Sequence, residues 1–299
     1  MLLVLTTIIP HVTANEEVDF SLSALSDMGL RIGQTEDLGA EGFVAQDTFL
    51  EADDLAATRA AIDGQFSGGV LDYCLQPAIG RRKRLLIADM DSTIINVECI
   101  DELADFAGVK ARVSEITERA MRGELDFEAA LRERVAMLKG LPLVDLQRAY
   151  DERVQLNPGA RTLVRTMTVH GAKAFLVSGG FSFFTRRVAE AAGFDANRAN
   201  TLIEAGDVLA GTVGEPILGR EAKLAALQEE AANLGVPLSA TLAVGDGAND
   251  LAMIEAAGLG VAYRAKPIVA AQAHAKVDHT DLTSLLYFQG YRASEFVTD

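Results

Sequence analysis

The chain has 299 residues and carries 43 acidic against 27 basic side chains, a formal net charge of −16 that repels nucleic-acid backbones and anionic membranes. A hydrophobic fraction of 49%, with charge spread along the sequence, describes a soluble globular protein and excludes a disordered one; the length suits one very large domain or two smaller ones. Two cysteines, Cys74 and Cys99, stand far apart without metal-ligand spacing, which excludes a disulfide framework and fits a reducing cytoplasm. The opening apolar run closes on Pro10 with no basic residue before Arg31, so no signal peptide is expected, and no later stretch approaches the ~20 apolar residues of a bilayer span.

In chain order, residues 1–78 read as a first unit. An apolar strand over 2–9 precedes a helix over 18–28, strands near Arg31 and over 42–45, a second helix over 52–66 and a closing strand over 70–75. This βαββαβ order is the ferredoxin-like pattern. The basic run Arg81-Arg82-Lys83-Arg84 reads as a solvated hinge. Leu85-Leu86-Ile87-Ala88 then has the look of a buried parallel strand. From 96 to 159 helix follows helix, punctuated by Gly108, Gly123 and Gly140-Leu141-Pro142 and closed by Asn157-Pro158-Gly159. A helical block inserted behind a first core strand is what a cap looks like. Helices over 160–170, 183–192, 220–234 and 249–256 next alternate with strands over 172–177, 241–244 and 260–262, with a β-excursion over 202–213. That alternation predicts a doubly wound, mostly parallel sheet. The tail from 281 to 299 carries no clear signal.

Two acidic motifs follow apolar strands: Asp89-Met90-Asp91-Ser92-Thr93 behind 85–88, and Gly245-Asp246-Gly247-Ala248-Asn249-Asp250 behind 241–244. Both place carboxylates at the carboxyl end of a strand, where open α/β sheets bind ligands. Converging acids repel one another, and a hard, oxygen-liganded cation such as Mg²⁺ resolves the repulsion. Ser178 also follows a strand, and Gly179-Gly180 leave backbone amides open to an anion. The pattern points to Mg²⁺-dependent phosphoryl transfer.

These motifs, together with Lys223, resemble the four ordered motifs of the haloacid dehalogenase superfamily over roughly residues 80 to 290, and the segment between the first two resembles its phosphoserine phosphatases. The resemblance implies an α/β fold: a HAD-like doubly wound parallel sheet at 79–95 and 160–299, a helical cap inserted at 96–159, and an N-terminal α+β, ACT-like unit at 1–78. In the family pattern Asp89 is the nucleophile, and Asp91 protonates the leaving oxygen and then takes a proton from water. Asp246 would bind Mg²⁺ with the Asp89 carboxylate and the Asp91 carbonyl, supported by Asp250 through water or a hydrogen bond. Ser178, Gly179, Gly180 and Lys223 would hold phosphate, with Arg220 the competing cation. Asn249 would hold phosphate or substrate; helix capping is the alternative for Asn249 and Asp250.

On a helix over 126–138, Arg134 falls within ~20° of Phe127, beside Leu131 and Leu138, whereas Arg132 points roughly 140° away to solvent. An arginine on an apolar stripe demands a partner: a substrate carboxylate, or a cap acid such as Glu124 or Glu128. Glu98, opening the first cap helix, would take a substrate ammonium, or simply favour the helix dipole. Glu98, Met121, Phe127 and Arg134 fall where phosphoserine phosphatases carry their substrate-recognising residues; for Met121 and Phe127 core packing is the alternative. The function so implied is cytoplasmic hydrolysis of O-phospho-L-serine through an aspartyl-phosphate, the last step of serine synthesis. Its alternatives are another small phosphomonoester such as phosphothreonine, phosphotransfer to a second alcohol, or a non-catalytic amino-acid-binding regulator. The ACT-like unit shows no glycine-rich effector turn, so packing or homodimerisation is its expected role. His11, His170, His274 and His279 match no ligand or nucleophile spacing, and Cys99 is expected as a buried thiol.

Overall fold

The computed structural model describes residues 1–10, 30–39, 42–66, 68–121 and 124–298, with the side chain of Met121 also outside that set. The N-terminal stretch forms β1 (Leu2–Pro10), β2 (Arg31–Gly39), β3 (Phe43–Glu51), α1 (Leu55–Phe66) and β4 (Asp72–Pro77). The helix expected over 18–28 lies outside the described residues. Strand β1 is buried from Leu3 to Ile8 and runs antiparallel between β3 and β4. Ile62 of α1 packs on Leu3, Leu5, Leu50 and Leu75, a small core of its own.

Beyond β4 come β5 (Leu85–Ala88) and four helices, α2 (Cys99–Phe106), α3 (Lys110–Met121), α4 (Phe127–Met137) and α5 (Leu143–Arg153). The chain continues through α6 (Ala160–Val169), β6 (Lys173–Phe181), α7 (Ser182–Ala192), β7 (Ala196–Asn200), the hairpin β8 (Leu202–Ala205) and β9 (Val208–Val213), and α8 (Arg220–Asn233). It ends with β10 (Thr241–Gly245), α9 (Leu251–Ala256), β11 (Leu259–Tyr263), α10 (Pro267–Ala270), β12 (Ala275–Val277) and α11 (Ser284–Phe288). Strands β12-β11-β10-β5-β6-β7 lie side by side and all pair in parallel.

Strand β5 shows why this sheet needs helices on both faces. All four of its residues are buried, but successive side chains point to opposite faces. Leu86 and Ala88 join Leu163, Val164 and Val188 of α6 and α7, whereas Leu85 and Ile87 join Leu227, Met253 and Ile254 of α8 and α9. Each such leucine or isoleucine contributes about 1.5–3 kcal/mol on burial. In register, Ala88 pairs with Val244 on one side and Leu176 on the other. Asp89, Gly245-Asp246 and Val177-Ser178 therefore leave the sheet together at its carboxyl edge. The helical insertion leaves at Ile95 and returns at Leu156, which form an antiparallel bridge. Asn157 Nδ2 fastens this neck by donating to the carbonyls of Thr93 (2.8 Å) and Ile95 (3.0 Å).

One expectation is corrected where the N-terminal strands meet the core. Strand β4 pairs antiparallel with β12 at Tyr73 and Lys276, so one ten-stranded sheet runs in the order β2-β3-β1-β4-β12-β11-β10-β5-β6-β7. The run 81–84 is consequently no solvated hinge, because it crosses this junction. Arg81 donates to both carboxylate oxygens of Asp47 (2.6 and 2.9 Å) and to Thr6 Oγ1 (3.0 Å), and also to the carbonyls of Tyr287 and Phe288. Lys83 is buried and donates to the carbonyls of Gly80 and Ser239. Lastly, the tail is interior: Leu285, Leu286, Tyr287 and Phe288 of α11 are buried between the N-terminal strands and α6. Among the described residues no helix is long and apolar enough to cross a membrane.

Candidate active site

At the end of β5 the chain makes a tight turn over Met90–Ile94, closed by the Ile95 N–H donating to the Met90 carbonyl (3.0 Å). Ser92 adopts φ 57°, the left-handed region that a non-glycine residue occupies at a cost. Its Oγ donates to Glu98 Oε1 (2.8 Å), fixing that acid at the start of α2. The carboxylate of Asp91 is held from two sides, accepting the Cys99 N–H on Oδ1 (2.9 Å) and Ser178 Oγ on Oδ2 (3.1 Å). Ser178 Oγ in turn accepts the Gly180 N–H (2.8 Å). Glycine is required here, since a Cβ on Gly180 would stand 2.7 Å from Asp91 Oδ2. A Cβ on Gly179 would meet the Phe127 ring at 3.1 Å, so the first cap residue of α4 rests on the phosphate-type turn of the core.

Asp89, Asp246 and Asp250 bring carboxylate oxygens within 4.8 Å of one another, and all three are buried. Lys223, reaching up from α8, stands 2.6 Å from Asp89 Oδ1 and 2.6 Å from Asp250 Oδ1. Thr93 Oγ1 donates to Asp246 (3.2 Å), and Asp250 Oδ2 accepts the Gly247 N–H (3.1 Å). Asp250 makes no side-chain cap bond to α9, which begins at Leu251, so its carboxylate serves the cluster and not the helix. It stands inside this group of acids, whereas the Asp91 carboxylate is turned away towards Ser178 and Cys99.

The electrostatics are lopsided. Burial, then the charge of Asp250, pushes Asp89 well above the usual carboxylate range. The same two causes raise Asp246 to about 6, and burial raises Asp91. Burial alone would lower Lys223, but Asp250 and Asp89 outweigh it and keep the ammonium charged. One lysine thus faces four acids. Oxygen donors with an excess of negative charge fit a hard divalent cation, and Asp89, Asp246 and Asp250 are the carboxylates placed to hold it.

A cavity of about 290 Å³ opens over this cluster and is walled on the far side by the helical insertion. Asp89, Asp91, Ser178, Gly179, Gly180, Asp246 and Asn249 line it from the core, and Glu98, Phe127 and Arg134 from the insertion. Lys223 and Asp250 lie beneath that lining. Arg220, the competing cation, lines the cavity but is exposed and forms no contact with Asp89. The Met121 side chain lies outside the described residues. Burial, then the charge of Asp91, raises Glu98 to about 8. Arg134 is buried and forms no ion pair with a described acid, Glu124 and Glu128 included, while Arg132 points outward to Glu128 and Glu215. Thr93 and Thr117 were not foreseen. For Thr117 the available signal is its phase on α3, where it shares a buried face with Val113 and Ile116.

A parallel sheet with acids at its carboxyl edge, a phosphate-type turn and a lysine beneath define a class of hydrolase, and the profile of the haloacid dehalogenase-like hydrolases matches residues 86–255. The chain belongs to this family. It is 47% identical over 208 residues to a phosphoserine phosphatase of Polaromonas sp., covering 68% of this chain and 88% of the relative. It is 48% identical over 217 residues to a phosphoserine phosphatase of Streptomyces coelicolor, covering 72% of this chain but only 52% of that longer relative. Among solved structures, a HAD family hydrolase of Salmonella enterica superposes with a TM-score of 0.84 at 29% identity, covering 96% of this chain and 98% of its own, so the likeness includes the N-terminal strands. A substrate-bound phosphoserine phosphatase complex superposes with a TM-score of 0.66 at 39% identity, covering 69% of this chain and 98% of its own.

Proposed function

We propose that the chain hydrolyses O-phospho-L-serine to L-serine and phosphate. One observation carries this: a single cavity sets the phosphoryl-handling edge of the sheet against one half-buried acid, Glu98, and one buried guanidinium, Arg134. Those charges complement the ammonium and carboxylate of an amino acid whose phosphate reaches Ser178 and Lys223. A Glu98 carboxyl raised to about 8 by burial and the charge of Asp91 regains its charge beside an ammonium.

The reaction runs as two displacements. A carboxylate oxygen of Asp89 attacks phosphorus, the seryl O–P bond breaks, and Asp91 delivers its proton to the leaving oxygen. Burial raises Asp91 and so favours the protonated form that this step needs. Asp91 then takes a proton from water, whose oxygen attacks the phospho-aspartate and frees Asp89. Ser178 Oγ, the Gly179 and Gly180 amides and Lys223 balance the charge of the phosphoryl group, and Asn249 holds the substrate side. Asp89, Asp246 and the Asp91 carbonyl, supported by Asp250, would hold Mg²⁺, which would supply Lewis-acid neutralisation of the phosphoryl oxygens.

In this reading residues 96–159 act as a cap over a core of 79–95 and 160–299. Residues 1–78 are a packing or homodimerisation unit, and the reaction is the last step of serine synthesis in the cytoplasm. The test is phosphate release from L-phosphoserine with Mg²⁺ and with chelator, beside a panel of small phosphoesters. A Mg²⁺-dependent preference for phosphoserine is expected. Activity on the panel but not on phosphoserine would overturn the roles of Glu98 and Arg134, and no activity on any would overturn the phosphatase.

A further inference from the structure

We propose that Thr117 and Asp101 are positioning residues that set the Arg134 guanidinium for a substrate carboxylate; the inference rests on the phosphoserine reading above. Arg134 is buried at the cavity wall, and no described acid stands within ion-pair distance of it. Two of its three nitrogens are spent on the insertion itself. Nε donates to the Ala130 carbonyl (3.2 Å) and Nη1 to Thr117 Oγ1 (3.0 Å). Nη2 has no hydrogen bond to a described residue, so it is the edge left for a ligand.

The Thr117 hydroxyl has a single proton and is itself pinned. It donates to the Val113 carbonyl (3.0 Å), with Asp101 Oδ1 3.4 Å away on its other side. Asp101 Oδ2 accepts Ser114 Oγ (3.1 Å). Asp101 lies on α2, Ser114 and Thr117 on α3 and Arg134 on α4, so three helices meet at one polar knot behind the guanidinium. The carboxylate of Asp101 is one hydroxyl removed from the positive charge. It is near enough to offset that charge, yet too far to occupy the fork a substrate must use. Planar bidentate recognition depends on the orientation of that fork, and orientation is set by the bonds behind it. The knot therefore governs selection for a carboxylate, not the chemistry at phosphorus.

O-phosphoethanolamine separates these, because it keeps the phosphate and the ammonium and lacks the carboxylate. The parent protein is measured first on both substrates. A parent without preference for phosphoserine would overturn the reading of Arg134 itself, and this inference with it. Given that preference, Thr117→Val is expected to raise KM for phosphoserine about tenfold or more, the size of one lost hydrogen bond to a charged group, with kcat within about threefold and kcat/KM for phosphoethanolamine changed by less than about threefold. Thr117→Ser, which keeps the hydroxyl, should restore the preference. Equal losses on the two substrates, or an unchanged phosphoserine KM, would overturn the proposal. Should Thr117→Val fail to fold, Asp101→Asn removes the charge with little change of shape, and the same split or its absence decides.

Discussion

Two of the regions that bury charged groups do so with opposite arithmetic. At the junction between the N-terminal strands and the core, one guanidinium meets one carboxylate: Arg81 grips both oxygens of Asp47, with Thr6 and two main-chain carbonyls taking up the remaining bonds. At the carboxyl edge of the sheet the single ammonium of Lys223 meets Asp89 and Asp250, with Asp246 and Asp91 close by, and burial with the neighbouring negative charge pushes Asp89 and Asp246 upward. A buried charge that closes on itself fastens two parts together. A buried excess that does not close is a place prepared for something else.

The largest expected effects test this distinction directly. Asp89→Asn should lower turnover of phosphoserine by about 10⁴-fold or more, yet leave the thermal midpoint in chelator no lower than the parent's, because it thins a crowded cluster. Asp47→Ala should do the reverse, costing about 3–5 kcal/mol of stability by stranding Arg81, with kcat/KM on the folded protein within about twofold. Retained turnover in Asp89→Asn would remove the nucleophile, and lost activity in a folded Asp47→Ala would tie the junction to catalysis. Next in size is the response to cation. Mg²⁺ at about a hundred times its Kd should stabilise the parent by about 2.7 kcal/mol. The same increment is expected in Asp47→Ala and none in Asp246→Asn; a full shift in Asp246→Asn would place the ion elsewhere.

The contrast also explains what was legible in the sequence. The position of the acids at the sheet edge was, because it is set locally: an acid directly behind an apolar run of four or five residues has one place to go. Arg134 was legible through helical phase, seven residues from Phe127, and the outward direction of Arg132 was as well. The junction was not. Arg81-Arg82-Lys83-Arg84 reads like any solvated basic run, because the partners that bury Arg81 lie 34 and 206 residues away in sequence. Strand β4 begins at Asp72, two residues later than expected, where the Asp72 carboxylate turns to accept the N–H groups of Asp278, His279 and Thr280. The segment Ser284-Leu285-Leu286-Tyr287-Phe288 is apolar enough to be interior, but five residues carry no periodicity that says against what.

The smallest effect expected is one of pH, and it separates the same two regions by sign. His274 precedes β12, and its Nδ1 accepts the Gly260 N–H (2.9 Å), which puts the ring proton on Nε2 of a neutral imidazole. Burial first, then the charges of Arg59 and Lys83, holds its pKa below the usual 6.5. A group depressed by folding contributes stability above its unfolded pKa and loses it as pH falls through that value, since the unfolded chain takes up a proton that the folded one refuses. The raised carboxyls act the other way: without cation, their stability is full at low pH and is lost as pH climbs, towards about 6 for Asp246 and about 8 for Glu98. In chelator the two therefore oppose each other: His274 lowers the thermal midpoint on an acid limb as pH falls, and the raised carboxyls lower it as pH climbs. His274→Asn, which keeps an acceptor towards Gly260 but cannot titrate, should flatten only the acid limb between pH 7.5 and 5.5. A variant that sags there as much as the parent would show that the junction does not need a neutral imidazole, since the raised carboxyls have the wrong sign to produce that limb.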